Sequence, residues 1–323
     1  MNILLTGGAG FIGSNIAKSL LKLEAVTEVR ILDDLSTGYL KNIEGILTHP
    51  KCTFIQGDIG DFATCEAAIK GINLVSHQAA LGSVPRSIAD PLSTNSANIT
   101  GTLNIYTAAK NEGVKRVVYA ASSSTYGDSE SLPKVEGVIG RPLSPYAVTK
   151  YVMELYADVF ARTYDIEFIG LRYFNVFGPH QSPQGAYAAV IPLFIEAVLK
   201  NEAPVINGDG SYSRDFTFVD NVIQANMNAL FTDNAEAVNQ VFNIAFGEST
   251  TLLELYDAIR EIAGSTLAPR FGDFRKGDIP HSLANIDKAK ELLNYQPVIS
   301  VREGLKLAFE WYKKNYHVNM LTP

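Results

Sequence analysis

The chain opens with "MNILLTGGAGFIGSN", and no other stretch restricts its fold as tightly. The apolar run Ile3–Leu5 reads as a short buried strand, and the apolar-periodic segment from about Phe11 to Leu23 reads as a helix. Between them, Gly8, Gly10 and Gly13 stand in a GxGxxG frame, and Gly7, Gly10 and Gly13 in a GxxGxxG frame. Glycines at these places let a backbone turn sharply out of a strand and approach a pyrophosphate, whose charge then rests on a helix N-terminus. The strand before and the helix after supply the context that the pattern needs.

The alternation continues through the N-terminal half. Further strands are predicted at Val29–Leu32, Thr53–Gln56, Leu74–Ser76, Arg116–Ala120 and Glu167–Leu171, with helices over Ala63–Ile69, Pro91–Asn111 and Pro145–Tyr164. This rhythm predicts an α/β fold: a Rossmann-type doubly wound parallel sheet. After Arg172 the pattern turns irregular, punctuated by Pro179, Pro183, Pro192 and Pro204. The expected division is a dinucleotide-binding domain over residues 1–174 and a smaller, partly interleaved substrate lobe over residues 175–323. Some C-terminal segments of that lobe are expected to return to the sheet. The chain has 323 residues, 46% hydrophobic and 19% charged, which is enough apolar material for such a core.

Composition also excludes several functions. A net charge of −7 argues against holding nucleic acid through bulk electrostatics. Cys52 and Cys65 form no CxxC pair, so neither a metal site nor a disulfide framework is expected. The start of the chain has no basic leader, and the most apolar long run, Ala186–Leu199, is cut by Pro192 and Glu196 and is too short to span a bilayer. A soluble cytoplasmic protein without membrane partners is expected.

In an open parallel sheet, ligands bind outside the carboxyl ends of the strands. The segments Gly7–Gly13, Asp33–Gly38, Asp58, Gln78–Ser83 and Ser122–Gly127 should therefore meet along one edge. Asp33 ends the strand after the glycine turn, where a carboxylate can bind a ribose 2′-hydroxyl. The adjacent Asp34, with no arginine after it, disfavours a 2′-phosphate, so NAD is preferred to NADP. The cofactor is expected against Gly7, Gly10, Phe11, Ile12 and Gly13, then Asp33, Asp34, Ser36, Thr37 and Gly38, with Asp58 and Ile59 at the adenine end and Gln78, Ala79 and Ala80 beyond.

"SPYAVTK" places Tyr146 and Lys150 four residues apart, on one face of a helix that Ser144 caps and Pro145 starts. Tyr106 and Lys110 share that spacing, but they lie late in their helix, away from the ligand edge, and are assigned to surface and packing. A phenol titrates near 10, and an adjacent ammonium can lower that enough for Tyr146 to work as a general base and acid. A hydroxyl at the end of the Arg116–Ala120 strand could share the proton.

In order, "TGGAGFIGS", "LDDLSTG", "GDI", "HQAA", "SSSTYG", "SPYAVTK" and "RYFNVFGP" resemble the extended short-chain dehydrogenase/reductase family over essentially the whole chain. Within it, "ALGSVPRS", "AYAAVIP", "NGDGSYSRDF" and "FRKGDIPHSLANI" are similar to the UDP-sugar 4-epimerases, particularly those acting on UDP-N-acetylhexosamines. The resemblance implies a catalytic set of Ser122, Tyr146 and Lys150, oriented with help from Asn98, and Tyr173 beside the cofactor. It assigns Asn175, Arg214, Arg275 and Asp278 to the nucleotide sugar, and Val190 and Asn207 fall within the same substrate segments. Ser83, Ala188, Ala189 and Ser282 match pocket positions, and a small residue at Ser282 would admit an N-acetyl group. Ser123 and Ser124 stand where a 4,6-dehydratase carries an Asp-Glu pair, which disfavours dehydration and leaves two hydroxyls for a neutral sugar.

The implied reaction is transient oxidation at C4 by bound NAD, turning of the 4-keto sugar and return of hydride, interconverting UDP-N-acetylglucosamine and UDP-N-acetylgalactosamine. UDP-glucose and UDP-hexuronic acids remain alternative substrates. A non-catalytic NAD-binding scaffold is the rival of another class, although such proteins commonly lose the tyrosine or lysine present here. The resemblance also implies a homodimer through the helices at Pro91–Asn111 and Pro145–Tyr164.

Overall fold

The structure, a computed structural model, describes residues 1–184, 188–274 and 279–319. Seven strands form one parallel sheet: β1 (Asn2–Thr6), β2 (Glu28–Asp33), β3 (Cys52–Gln56), β4 (Leu74–His77), β5 (Arg116–Ser122), β6 (Glu167–Tyr173) and β7 (Gln240–Ile244). Their spatial order is β7-β6-β5-β4-β1-β2-β3. The six strands predicted from hydrophobic runs are all present. The seventh was hidden, because Gln240–Ile244 carries only a few apolar residues amid polar ones and pairs with a strand far away in sequence, Ile169–Tyr173.

The helices are α1 (Phe11–Leu20), α2 (Phe62–Ile69), α3 (Val84–Ala89), α4 (Pro91–Asn95), α5 (Gly101–Glu112), α6 (Pro145–Thr163), α7 (Val190–Leu199), α8 (Val219–Phe231), α9 (Leu252–Ala263), α10 (Asp287–Leu293) and α11 (Val301–Asn319). The single helix expected over Pro91–Asn111 is interrupted by a π turn at Ser96–Thr100, between α4 and α5. The interruption carries Asn98, whose buried side chain accepts from Leu81 N (2.7 Å) and donates to Leu81 O (3.1 Å) and Thr149 Oγ1 (3.0 Å).

Strand alternation sorts the core into two layers. Ile3, Leu5, Val118 and Ala120 face α1, α8 and α10, where they join Ile16, Leu20, Val222, Ala225 and Ala289. Leu4, Val117 and Tyr119 face α2, α5 and α6, with Cys65, Ile105, Met153 and Phe160. Tyr106, read from sequence as surface and packing, is wholly buried in this second layer, its ring 4.7 Å from that of Phe168. A third core of Phe194, Ile195, Phe218, Leu255, Ile259, Leu305 and Phe309 joins α7, α9 and α11. Helix α8 links two of these cores, with Val219 in the third and Val222 and Ala225 in the first.

Arg116 fastens that link. Its guanidinium, 3% exposed, donates to the carbonyls of Ala229 (3.1 Å), Leu230 (3.0 Å) and Thr232 (2.9 Å), and pairs with Glu167 at 2.6 Å. It satisfies carbonyls that the end of α8 leaves without intrahelical donors. Arg116→Met should lower the urea midpoint by an amount equivalent to about 2–4 kcal/mol at an unchanged denaturant slope. An unaltered midpoint would show that the guanidinium contributes no net stability.

Candidate active site

Strand order reverses between β1 and β4, so the loops leaving their carboxyl ends diverge and open a cleft of ≈ 780 Å³. At its base, the chain turns from β1 into α1 through glycines that cannot carry side chains. Gly7 has φ +69°, and a Cβ there would lie 2.6 Å from Ala79 N; one on Gly13 would lie 2.1 Å from Gly7 O. Gly10 is different, since a Cβ would meet only Gly7 O, at 3.2 Å. Its bare face lines the cleft at the N-terminus of α1, which no side chain caps. A helix N-terminus with uncapped N–H groups at a cleft floor favours a pyrophosphate.

Asp33 is held beside this turn. Its carboxylate accepts from Ala9 N (2.8 Å) and Leu35 N (2.9 Å), while burial pushes its pKa up against those bonds. Asp34 accepts from the amide and hydroxyl of Ser36, and Asp58 from Gly60 N, so each acid shapes the loop it lines. Asp33, Asp34, Ser36, Thr37, Gly38, Asp58 and Ile59 all line the cleft, as do Gly7, Gly10, Phe11, Ile12, Gly13, Gln78, Ala79 and Ala80. Acids lining the cleft beside the glycine turn, an anion seat at the helix N-terminus and a groove between them fit an unphosphorylated dinucleotide.

At the other end of the cleft, β5 stops at Ser122 and enters a tight turn, Ser123–Tyr126. Ser144 caps α6 by accepting from Ala147 N (3.1 Å), Pro145 starts the helix, and Tyr146 follows in the first turn. Ser122, Ser123, Tyr146, Lys150 and Tyr173 line this end together. Tyr146 is hydrogen-bonded to Ser122; burial pushes the phenol's pKa up, and this bond opposes the rise. Lys150 Nζ lies 5.9 Å from the centre of the Tyr146 ring and donates to Ala120 O at 2.7 Å. Burial lowers its pKa to about 8, against the opposing pull of the Glu154 carboxylate.

Several supporting residues were not singled out from the sequence. Glu154, one turn beyond Lys150, forms a buried two-pronged pair with Arg172 (2.9 and 2.7 Å), and Arg172 stacks on the Tyr126 ring at 4.8 Å. Tyr126 donates to Asn243 on β7 at 2.6 Å, so the hidden strand braces the serine turn. His77 is wholly buried between Thr6 (Nδ1, 2.7 Å) and Thr102 (Nε2, 2.9 Å). Thr102 donates its own proton to Asn98 O, so it accepts from His77 Nε2–H, and Thr6 donates to Nδ1. Burial, reinforced by Lys150, lowers the His77 pKa to about 3, which makes it a neutral strut and not an acid or base. The i, i+4 spacing of Lys150 and Glu154 was a usable signal, but their partners come from other strands.

Not every residue expected at the site lines the cleft. Ser83 (φ +96°) and Asn175 (φ +34°) line the cleft in conformations unusual for side-chain-bearing residues. Asn98, Ser124, Ala189, Val190, Asn207, Arg214 and Ser282 are not among its lining residues. Asn98 is fully buried with its amide bonded to Leu81 and Thr149, so it braces the site from behind. The Ser124 hydroxyl is turned to Ser122 Oγ, at 2.9 Å. Arg214 and Ser282 gather instead around Ser213, which accepts from Ser282 N (3.1 Å) and Arg214 Nη1 (2.9 Å) through its carbonyl, while its hydroxyl bonds His281 Nδ1 (3.0 Å). The adjacent Asp215, fully buried, staples this group to the lobe by accepting from Phe246 N, Gly247 N and Ala284 N. Val190 begins α7, and Asn207 ends the strand Val205–Asn207 of a small ladder with Arg270–Gly272. Arg275 and Asp278 lie outside the described residues.

This combination of sheet, glycine turn and Ser-Tyr-Lys cluster defines a nucleotide-dependent oxidoreductase-type scaffold. Residues 3–245 match the model of the NAD dependent epimerase/dehydratase family, and the chain belongs to that family. It is 35% identical over 316 residues to a UDP-glucose 4-epimerase of Mycolicibacterium smegmatis, covering 97% of this chain and 99% of the relative. Among solved structures, it superposes with TM-score 0.92 and 39% identity on the UDP-N-acetylglucosamine 4-epimerase from Methanobrevibacter ruminantium M1 in complex with UDP-N-acetylmuramic acid, covering 97% and 98% of the two chains. A UDP-glucuronic acid 4-epimerase from Bacillus cereus, solved with UDP-glucuronic acid and NAD, matches with TM-score 0.91 and 31% identity over 98% and 100%. NAD is the cofactor of this chain, as its family and the fit of its cleft require. No helix among the described residues is long and apolar enough to cross a membrane.

Because a Cβ at residue 13 would strike the backbone that closes the turn, Gly13→Ala should purify with little bound NAD and melt earlier than the parent. Full cofactor content by chromatography of the denatured protein would refute that reading of the turn.

Proposed function

We propose that this chain is a UDP-N-acetylglucosamine 4-epimerase. The activity class, 4-epimerisation of a UDP-sugar, is common to the relatives above and agrees with the site. The observation that carries the reading is the convergence of Ser122, Tyr146 and Lys150 on the cleft that also holds the glycine turn and Asp33. The sugar end of that cleft is walled by small residues, among them Gly82, Ser83 and Ser123, which leaves room for an N-acetyl group. Among the described lining residues Lys150 is the only cation, and its ammonium is directed at Ala120 O and Tyr146. Among the described residues no arginine lines the cleft to meet a uronic carboxylate, which favours a neutral sugar. UDP-glucose is the second reading, supported by the M. smegmatis relative.

NAD, when bound, supplies reversible hydride acceptance at the sugar's C4 carbon. The chain's own residues manage the proton and the placement. Tyr146 takes the C4 hydroxyl proton as general base and gives it back as general acid. The Lys150 ammonium stabilises the phenolate: unit charges about 6 Å apart at an effective dielectric of about 20 interact by roughly 3 kcal/mol, or about 2 pH units. Ser122, engaged with the Tyr146 hydroxyl, holds that base in place where the cleft receives the C4 oxygen. Arg214, Asn175, Arg275, Asp278 and Ser282 are proposed to anchor and frame the nucleotide sugar.

Incubation of the purified protein with UDP-GlcNAc, UDP-glucose and UDP-glucuronic acid, without added NAD, should yield the galacto epimer of the first, followed by NMR. No epimer from any of the three would sink the reading, and turnover of UDP-glucose alone would select the second. Tyr146→Phe should lose on the order of 10³-fold in kcat while keeping its NAD.

The chain is also proposed to form a homodimer. Helices α3 and α4 pack beside α6 and leave Ile88 (64% exposed), Leu92 (82%), Leu155 and Val159 bare. Such an apolar stripe on neighbouring helices suits a second copy. Light scattering should give twice the chain mass, and Leu92→Asp with Leu155→Asp should give the monomer; a monomeric parent would overturn the proposal.

A further inference from the structure

The serine turn contains an arrangement that neither the family match nor the triad explains. Ser124 N–H donates to Ser122 Oγ at 3.2 Å, and the Ser124 hydroxyl bonds the same oxygen at 2.9 Å. A serine hydroxyl has two acceptor lone pairs and one proton. With both lone pairs met from Ser124, Ser122 can engage its other partner, the Tyr146 hydroxyl, only as a donor. A hydrogen bond donated to a phenol oxygen favours the phenolate, whereas one accepted from it favours the neutral phenol.

We propose that Ser124 is a positioning residue: by filling the acceptor sites of Ser122 it fixes that hydroxyl as a donor to Tyr146 and so keeps Tyr146 able to act as a base. This rests on Tyr146 being the base of the proposed epimerase reaction. It also gives Ser124 a task other than the sugar contact expected from sequence, in keeping with its absence from the cleft lining. Without the hydroxyl, one acceptor site of Ser122 opens, Tyr146 can donate into it, and the neutral phenol gains. The other titratable groups nearby are set independently. Lys150 is held at Ala120 O, Glu154 is paired with Arg172, His77 is locked neutral between two threonines, and Tyr173 is tied to Gln78 and Asn226.

The test compares Ser124→Ala with the isosteric pair Ser124→Thr and Ser124→Val, so that any effect of shape cancels between the last two. For the Ala and Val variants, the acidic limb of kcat/KM should move up by about one pH unit, with about 3–10-fold lower kcat below the limb and recovery above it. KM for the UDP-sugar should hardly change, and the Thr variant should keep the parental limb. An unmoved limb in Ala or Val, or a common limb for Thr and Val, overturns the proposal. A raised KM at parental kcat also overturns it, because Ser124 would then touch the sugar. Tyrosine absorbance titration of each variant, taken as a difference against Tyr146→Phe in the same background, reads the Tyr146 proton without turnover. The inference can therefore fail while the epimerase reading stands, and the titration separates its failure from a failure of turnover.

Discussion

All seven strands of the sheet run the same way, and the site depends on that constraint. A parallel strand can be followed by another only after a crossover, so every carboxyl end delivers its loop to one edge. The glycine turn after β1, the acids after β2, the Gln78–Ser83 segment after β4 and the serine turn after β5 meet there, although they are far apart in the chain. The reversal of strand order between β1 and β4 then keeps two of those loops from packing on each other, and the gap becomes the cleft.

Within that frame, buried polarity is arranged by mutual satisfaction. Lys150 is buried deeply enough to weaken its hold on a proton, yet it keeps a carbonyl partner and the field of Glu154. Glu154 is in turn neutralised by Arg172, whose guanidinium stacks on Tyr126 just past the serine turn. Tyr126 bonds Asn243 on β7, and Asn243 Nδ2 donates to Lys134 O and Asn285 O. Helix α6, the serine turn and strand β7 thus form one network. A deletion of any single member would leave a buried charge, donor or acceptor unpaired, the costly case for polar groups in low dielectric.

The architecture of the first half was legible because its signals are local. Short apolar runs alternating with helical periodicity marked β1 to β6, and the Ser144-Pro145 start marked α6 and with it Tyr146. The π turn at Ser96–Thr100 was not legible, since it answers to Asn98 reaching the Leu81 backbone, a contact across the fold. Strand β7 was equally hidden, because it completes a sheet edge that exists only once β6 is in place. The segment carrying Arg214 and Ser282 could be read as a motif, but its organisation around Ser213 and Asp215 could not.

What residue order settled alone was the glycine turn at one end of the cleft. Missing side chains at Gly7, Gly10 and Gly13 and an acid after the next strand act through backbone geometry within one βαβ unit, so spacing suffices to read them. What tertiary structure decided was the chemistry of the hydroxyl and amine groups. Three consecutive serines are alike as letters; in the fold, Ser122 meets Tyr146, Ser123 lines the cleft and Ser124 turns back to Ser122. The reason is physical: whether a hydroxyl donates or accepts, and whether an ammonium keeps its proton, depends on partners and burial that distant segments supply.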